Sequence, residues 1–388
     1  MRAIMSLSTK RWVGGAALAL AVLILCGPRA IAEDEAGARS QCWSLPLRGL
    51  PGESRIKHGF AGAYVPLPNG QLASSPVPPA WRGVIRRVDL PPGVKKVALT
   101  FDLCEQPYEK AGYDSEIVDF LRESGTRATF FGGGKWIETH EQRARQIIAD
   151  PLFEMGNHTW EHRNLRLLSG KSLVDEIAGA QLAYAKVYTA LANNQCLPPD
   201  RENKVNALVS SPGQPLLFRF PFGACDPRSL RAVADAGLLA IQWDVSSGDP
   251  LRTLLPARMA DWVLHGVRPG SIVLFHANGR GWHTAQALRR IVPELRARQY
   301  EFVTVSELLN ANGARPVIAQ TCYDSRPGDT DHYDSFARRL EAEYQKFKAE
   351  YGTKAPRVPA GTSSHLPAVP KPVPAVRARN PVKEEPKN

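Results

Sequence analysis

No internal repeat of solenoid length is apparent in this 388-residue chain, which excludes a stacked-repeat architecture. The chain also lacks the interleaved aromatic and basic clusters of a nucleic-acid-binding surface, so nucleic acid is not the expected partner of its formal net charge of +11. That charge favours anionic surroundings such as envelope polymers or membrane faces, while a solvated basic surface is the plainer reading of most of it. No apolar run reaches the roughly 20 residues that cross a bilayer. The run from Trp12 to Cys26 follows Arg2, Lys10 and Arg11 and precedes Ala30-Ile31-Ala32 and the acidic Glu33-Asp34-Glu35. This is the pattern of a signal peptide cleaved after residue 32, with a mature chain that is periplasmic or secreted and has no transmembrane segment. A lipid anchor at Cys26 is disfavoured by the bulky Leu25 before it.

Cysteine is scarce and, after the leader, odd in number: Cys42, Cys104, Cys196, Cys225 and Cys322. Outside the cytoplasm these can pair, yet one must be free, bind a metal or bridge to another chain.

Texture divides the chain. Residues 33–92 are rich in Pro and Gly without a sustained period and read as an extended N-terminal arm with a few short strands. Residues 93–312 alternate strand and helix signals. Val94 to Phe101, Ala128 to Phe131, Leu216 to Phe220, Leu238 to Val245, Ser271 to His276 and Glu301 to Val305 are short apolar or β-branched runs of the buried parallel kind. Between them, Leu173, Ile177, Ala180, Tyr184, Val187 and Leu191 define one helix face, and Leu288, Ile291, Val292 and Leu295 another. Asp226, Pro227 and Gly237 supply an N-cap, a first-turn proline and a glycine stop. Repeated βα units in about 220 residues suit an α/β barrel better than an open sheet. Residues 313–354 form an extension with a charged helix from Asp334 to Tyr351. The Pro/Lys/Arg-rich tail, 355–388, is expected to be disordered, either touching anionic envelope polymers or only solubilising the chain.

Five segments place reactive groups at or just beyond strand ends, where a parallel α/β fold assembles its site. In "LTFD", Asp102 is either a general base or a loop-capping acid. In "NHTWEH", His158 and His162 stand four apart; on a helical turn they could share a metal, against the alternative of ordinary surface or core histidines. In "FRFPFG", Arg219 among apolar neighbours must pair with a carboxylate, for structure or for catalysis. "WDVSSGDP" offers Asp244 and Asp249, and "IVLFH" ends in His276, poised to titrate near neutral pH. Trp136, Trp160, Trp243 and Trp282 lie near these segments, either stacking on sugar rings or filling the core.

In this order and spacing the segments resemble the polysaccharide deacetylase family, the NodB homology or carbohydrate esterase 4 type, from about Val94 to Leu309. The resemblance implies an irregular (β/α) barrel and a divalent metal, usually zinc, that lowers the pKa of the water attacking an N- or O-acetyl group on a sugar. It implies Asp102 as catalytic base, His158 and His162 as metal ligands, and Arg219 as orienter of the base. It further implies the Phe222 backbone N–H at the oxyanion, Asp249 as the final acid of its motif with Pro250 in place of tryptophan, and Leu274 and His276 as the segment carrying the general acid. The partner implied is a chitin-like or peptidoglycan substrate, poly- or oligosaccharide. At the metal site, too, one position departs. The family usually has a second aspartate, the third metal ligand, where this chain has Leu103. Asp102 could coordinate instead, Cys104 could bind as thiolate, or Cys104 could form a disulfide with Cys225; the disulfide is the favoured expectation. A carbohydrate-binding protein on a deacetylase scaffold that has lost turnover through Leu103 is the alternative function, and an amidase of peptide stems a weaker one.

Overall fold

The computed structural model describes residues 41–59, 76–198, 217–322, 338–346 and 349. The leader and the tail expected from the sequence lie outside them. In chain order the elements are β1 (Lys57–His58), β2 (Val84–Asp89), β3 (Lys96–Leu103), β4 (Glu109–Lys110), α1 (Ser115–Glu123), β5 (Ala128–Gly132), α2 (Gly134–Thr139), α3 (Glu141–Ala149), β6 (Phe153–Asn157), α4 (Gly170–Asn193), β7 (Leu217–Phe218), α5 (Pro227–Asp235), β8 (Leu239–Ile241), β9 (Val245–Ser246), α6 (Pro256–Gly266), β10 (Ile272–His276), α7 (Thr284–Ala297), β11 (Glu301–Phe302), α8 (Val305–Leu309) and β12 (Arg315–Ala319). A further helical segment, α9, covers 338–346.

The strands join in the order β12-β2-β8-β7-β6-β5-β3-β10-β9, with β11 also on β3. All these pairings are parallel except that of β12 with β2. A bridge between Arg87 and Ser271, and the bond from the Val88 N–H to the Gly270 carbonyl, tie β2 to the foot of β10. The sheet therefore curls back on itself as an irregular (β/α) barrel. β3 shows why the runs are continuous rather than alternating: Val97 to Leu103 are all buried, one face against the barrel interior and the other against helices.

Helix signals in the sequence match their elements. On α4 the six residues of the expected face are all buried. Asp226 caps α5 in a reciprocal box with Ser229, and Gly237 follows at φ 75°. Two strands of the barrel sheet fall outside the expected segment: β2 and β12, in the arm and the extension, pair with each other at the sheet edge.

The disulfides correct the sequence expectation. Cys225 bonds to Cys322 and Cys42 to Cys196, while Cys104 is free and buried. Cys225 sits in the apolar cluster with Phe218, Phe220 and Cys322, whereas Cys104 turns toward the barrel mouth. The Cys42–Cys196 bridge fastens the arm just beyond the end of α4, and Arg143 reinforces it by donating to the Pro46 carbonyl and to Glu53. This bridge spans 154 residues, so its loss removes a large constraint on the unfolded chain. Replacing Cys42 and Cys196 by serine is expected to lower unfolding free energy by about 2–5 kcal/mol. Urea titration measures it; an unchanged midpoint would mean the Arg143 contacts alone hold the arm.

Candidate active site

β3 and β10 run parallel with Asp102 paired to His276 at their ends, so both side chains leave the sheet on one face. Arg219 fixes the first of them. Its Nη1 donates to Asp102 Oδ1 at 2.9 Å and to Thr100 Oγ1 at 2.7 Å, and Nε and Nη2 donate to the Ile241 and Gln242 carbonyls. The guanidinium is fully buried and lies 4.0 Å from the centre of the Phe131 ring. Burial pulls its pKa down and the Asp102 carboxylate pulls it back. A charge placed among apolar neighbours is thus paired as its chemistry demands.

Asp249 fixes the second. It is fully buried, its Oδ1 lies 2.9 Å from His276 Nδ1, and its Oδ2 accepts from the His276 backbone N–H at 2.7 Å and from Thr284 Oγ1 at 2.9 Å. A carboxylate only accepts, so Nδ1 carries the proton and Nε2 is the titrating position. Burial alone would lower the His276 pKa, but Asp249, with Asp102 adding, raises it above the ordinary 6.5. Leu274 lies two residues back on β10 and is buried. Asp244, the other acid of its segment, stands at the opposite end of β10, where it binds Ser271 and the Ile272 N–H.

His158 and His162 are brought together, their rings 4.9 Å apart, but not by a helical turn. They sit on an irregular loop after β6, with Thr159 at φ 65° and His162 itself at φ 60°. Side chains of Asn157 and Thr159 hold this strained loop by accepting from the N–H groups of Thr159 and His162. His158 Nδ1 bonds the Arg219 carbonyl at 2.8 Å, so Nε2 presents a lone pair, 3.4 Å from Asp102 Oδ2. Burial lowers the pKa of both imidazoles and keeps them neutral. Ligand atoms of Cys104, His158 and His162 all lie within 4.8 Å of one another. Burial pushes the Cys104 thiol up to about 12, with Arg280 opposing, which disfavours a free nucleophilic thiolate.

Phe222, at φ 58° in the turn Pro221–Gly223, packs its ring 4.5 Å from that of His162. Gly223 is at φ 65°, and a Cβ there would meet Trp243 at 2.9 Å. Of the tryptophans, Trp136 is core, whereas Trp160, Trp243 and Trp282 are partly exposed. Three residues escape the sequence reading. Lys135 is buried and donates to the carbonyls of Pro107 and Glu109, as well as Gln106, shaping the loop after β3. Asn278 donates to the Cys104 carbonyl and sulfur, and Thr284 to Asp249. Only Asn278 has a signal, lying two residues beyond His276. From outside the barrel, α9 reaches the site's edge: Glu341 pairs bidentately with Arg163, which also lies 4.3 Å over the Tyr344 ring.

A parallel barrel with an oriented acid, an oriented histidine and a clustered histidine pair at one mouth defines a hydrolase of the sugar-deacetylase class. Residues 89–209 match the family model described as polysaccharide deacetylase, the family that the motif segments resemble. It is 28% identical over 57% of its length to a peptidoglycan-N-acetylglucosamine deacetylase of Bacillus cereus, spanning 91% of that protein. It is 29% identical over 47% of its length to a chitooligosaccharide deacetylase of Azorhizobium caulinodans, spanning 82% of it. Among solved structures, a pseudoenzyme of carbohydrate esterase family 4 from Bacillus anthracis has 23% identity and a TM-score of 0.46, with 59% of this chain and 69% of that one covered.

Proposed function

We propose that this protein is an exported, metal-dependent hydrolase that removes acetyl groups from N-acetylated sugars of a chitin-like or peptidoglycan polymer or oligomer. The observation that carries the reading is the pairing of Asp102 and His276 across adjacent strand ends, each held by its own buried partner, Arg219 and Asp249. The buried nitrogens His158 Nε2 and His162 Nδ1 have no hydrogen-bond partner, and a lone pair on the first faces the Asp102 carboxylate. Such a donor set fits a divalent cation, most readily Zn2+. When bound by His158 and His162, the metal supplies Lewis acidity toward the acetyl carbonyl and a lowered pKa for the attacking water.

The chain's own residues do the rest. Asp102, held at one oxygen by Arg219, takes the proton of the water; its other oxygen lies 3.4 Å from His158 Nε2. The turn at Phe222 supplies a backbone N–H to the developing oxyanion, the role the family resemblance assigns it. His276, charged through its partnership with Asp249, gives the Nε2 proton to the departing amine as the C–N bond breaks, leaving acetate and the free amino sugar. Leu274, two residues back on the same strand, shares its face of the sheet.

The test is acetate release from N-acetylated chito-oligosaccharides and from peptidoglycan, before and after chelation and beside His158→Ala. Chelation and the substitution are each expected to abolish release, with zinc restoring only the first. Sugar binding without acetate release from either substrate, with or without zinc, would leave a binding protein on an enzyme's barrel.

A further inference from the structure

Leu103 holds the family's position for the third metal ligand, and the fold shows where a replacement comes from. Successive residues of a strand face opposite sides, so the two neighbours of Leu103 share the side that Leu103 does not. Leu103 is wholly buried in the main apolar cluster between sheet and helices. Asp102 and Cys104 turn to the barrel mouth, and Cys104, 4% exposed, closes a cluster with His158 and His162. His158, 1% exposed, aims an unpartnered Nε2 into this cluster, and His162 Nδ1 is likewise buried and unpartnered. Asp102 gives one oxygen to Arg219 and points the other at His158 Nε2, 3.4 Å away, but it lies outside the cluster that Cys104 forms with both histidines.

We propose that Cys104, as a thiolate, is the third protein ligand of the metal held by His158 and His162; this deepens the deacetylase reading and rests on it for the presence of the metal. On a shared zinc, with Zn–S near 2.3 Å and Zn–N near 2.0–2.1 Å, ligand atoms stand roughly 3.3–3.8 Å apart, so the 4.8 Å limit of the cluster needs only a small contraction. Asn278 prepares the sulfur. Its fully buried amide donates to the Cys104 carbonyl at 2.8 Å and to Sγ at 3.0 Å, fixing the side chain and stabilising negative charge on the sulfur. A thiolate beside two imidazoles selects zinc or cobalt over the hard ions magnesium and calcium, which prefer oxygen. It also accounts for the one cysteine that, among the described residues, stands outside the two bridges.

The experiment is titration of the metal-stripped, disulfide-intact full chain with Co2+, followed by absorption. The expected result is about one cobalt per chain and a thiolate-to-cobalt charge-transfer band in the near ultraviolet. Asn278→Ala is expected to keep the band while weakening affinity about 10–100-fold. Cys104→Ser loses the band and more affinity than that, whereas Cys104→Asp binds cobalt without the band, which separates loss of the ligand from loss of the fold. Stoichiometric cobalt with no band, equal affinity in Cys104→Ser, or no cobalt binding at all would each overturn the assignment. Acetate release distinguishes the two readings: activity without the band removes the thiolate ligand and leaves the deacetylase, and the band without activity does the reverse.

Discussion

Asp102→Asn is expected to lower the rate of acetate release by about 10²–10⁴-fold, the range that a positioned general base contributes. The substitution keeps shape and one acceptor oxygen, so Arg219 Nη1 retains a partner, but the proton-accepting charge is gone. It also leaves a fully buried guanidinium without its counter-charge, which costs about 3 kcal/mol of stability or somewhat more. Both effects must be read on the same sample: turnover on the folded fraction, and stability by urea titration. Bound zinc should stay, because the cluster of Cys104, His158 and His162 does not include Asp102. Turnover within tenfold of the parent with the stability loss intact would mean that Asp102 is only the anchor of Arg219.

Half of that double role is legible in the amino-acid sequence. An arginine in "FRFPFG" has to meet a carboxylate because an unpaired buried charge is too costly, and it meets Asp102. Helix α5 is legible from Asp226, Pro227 and Gly237 because caps are local chemistry. The histidine pair is legible as a pair, but its backbone is not: spacing of four matches a helical turn, while the residues sit in a left-handed loop that Thr159 and Asn157 side chains stabilise. β6 carries Glu154 and Gly156 within five residues and does not stand out as an apolar run. β2 and β12 are a further case, since their membership of the barrel depends on pairing between residues more than 200 apart. The disulfides escape for the same reason. Linear spacing says nothing of which Cα atoms approach to 5.6–5.8 Å, and the expectation that joins Cys104 to Cys225 takes nearness to the barrel mouth for contact. Freeing Cys104 in that way is what turns the missing aspartate from a defect into a substitution.

Asp249→Asn is the second large effect, and it discriminates through pH. Asp249 Oδ2 accepts from both the His276 N–H and Thr284, so the asparagine carbonyl takes that place and its NH2 must face Nδ1. An amide nitrogen cannot accept, so the ring loses its Nδ1 proton and presents a lone pair there. The imidazolium that Asp249 favoured is now opposed, and acetate release is expected to fall about 10²–10⁴-fold near neutral pH. In the parent, the raised His276 pKa sets an alkaline limb of kcat above the ordinary 6.5; in Asp249→Asn that limb moves to lower pH. Stability moves in the same sense. A folded-state pKa above the unfolded value means the charged ring stabilises the fold fully below 6.5 and loses that contribution as pH rises through the folded value. The difference in unfolding free energy between parent and variant is therefore expected to be largest at mildly acidic pH and to shrink as pH rises. Urea midpoints and kcat profiles from mildly acidic to mildly alkaline pH measure both; a variant whose alkaline limb coincides with the parent's would remove His276 from the acid's role, because a buried carboxylate that only braces the loop has no reason to move it.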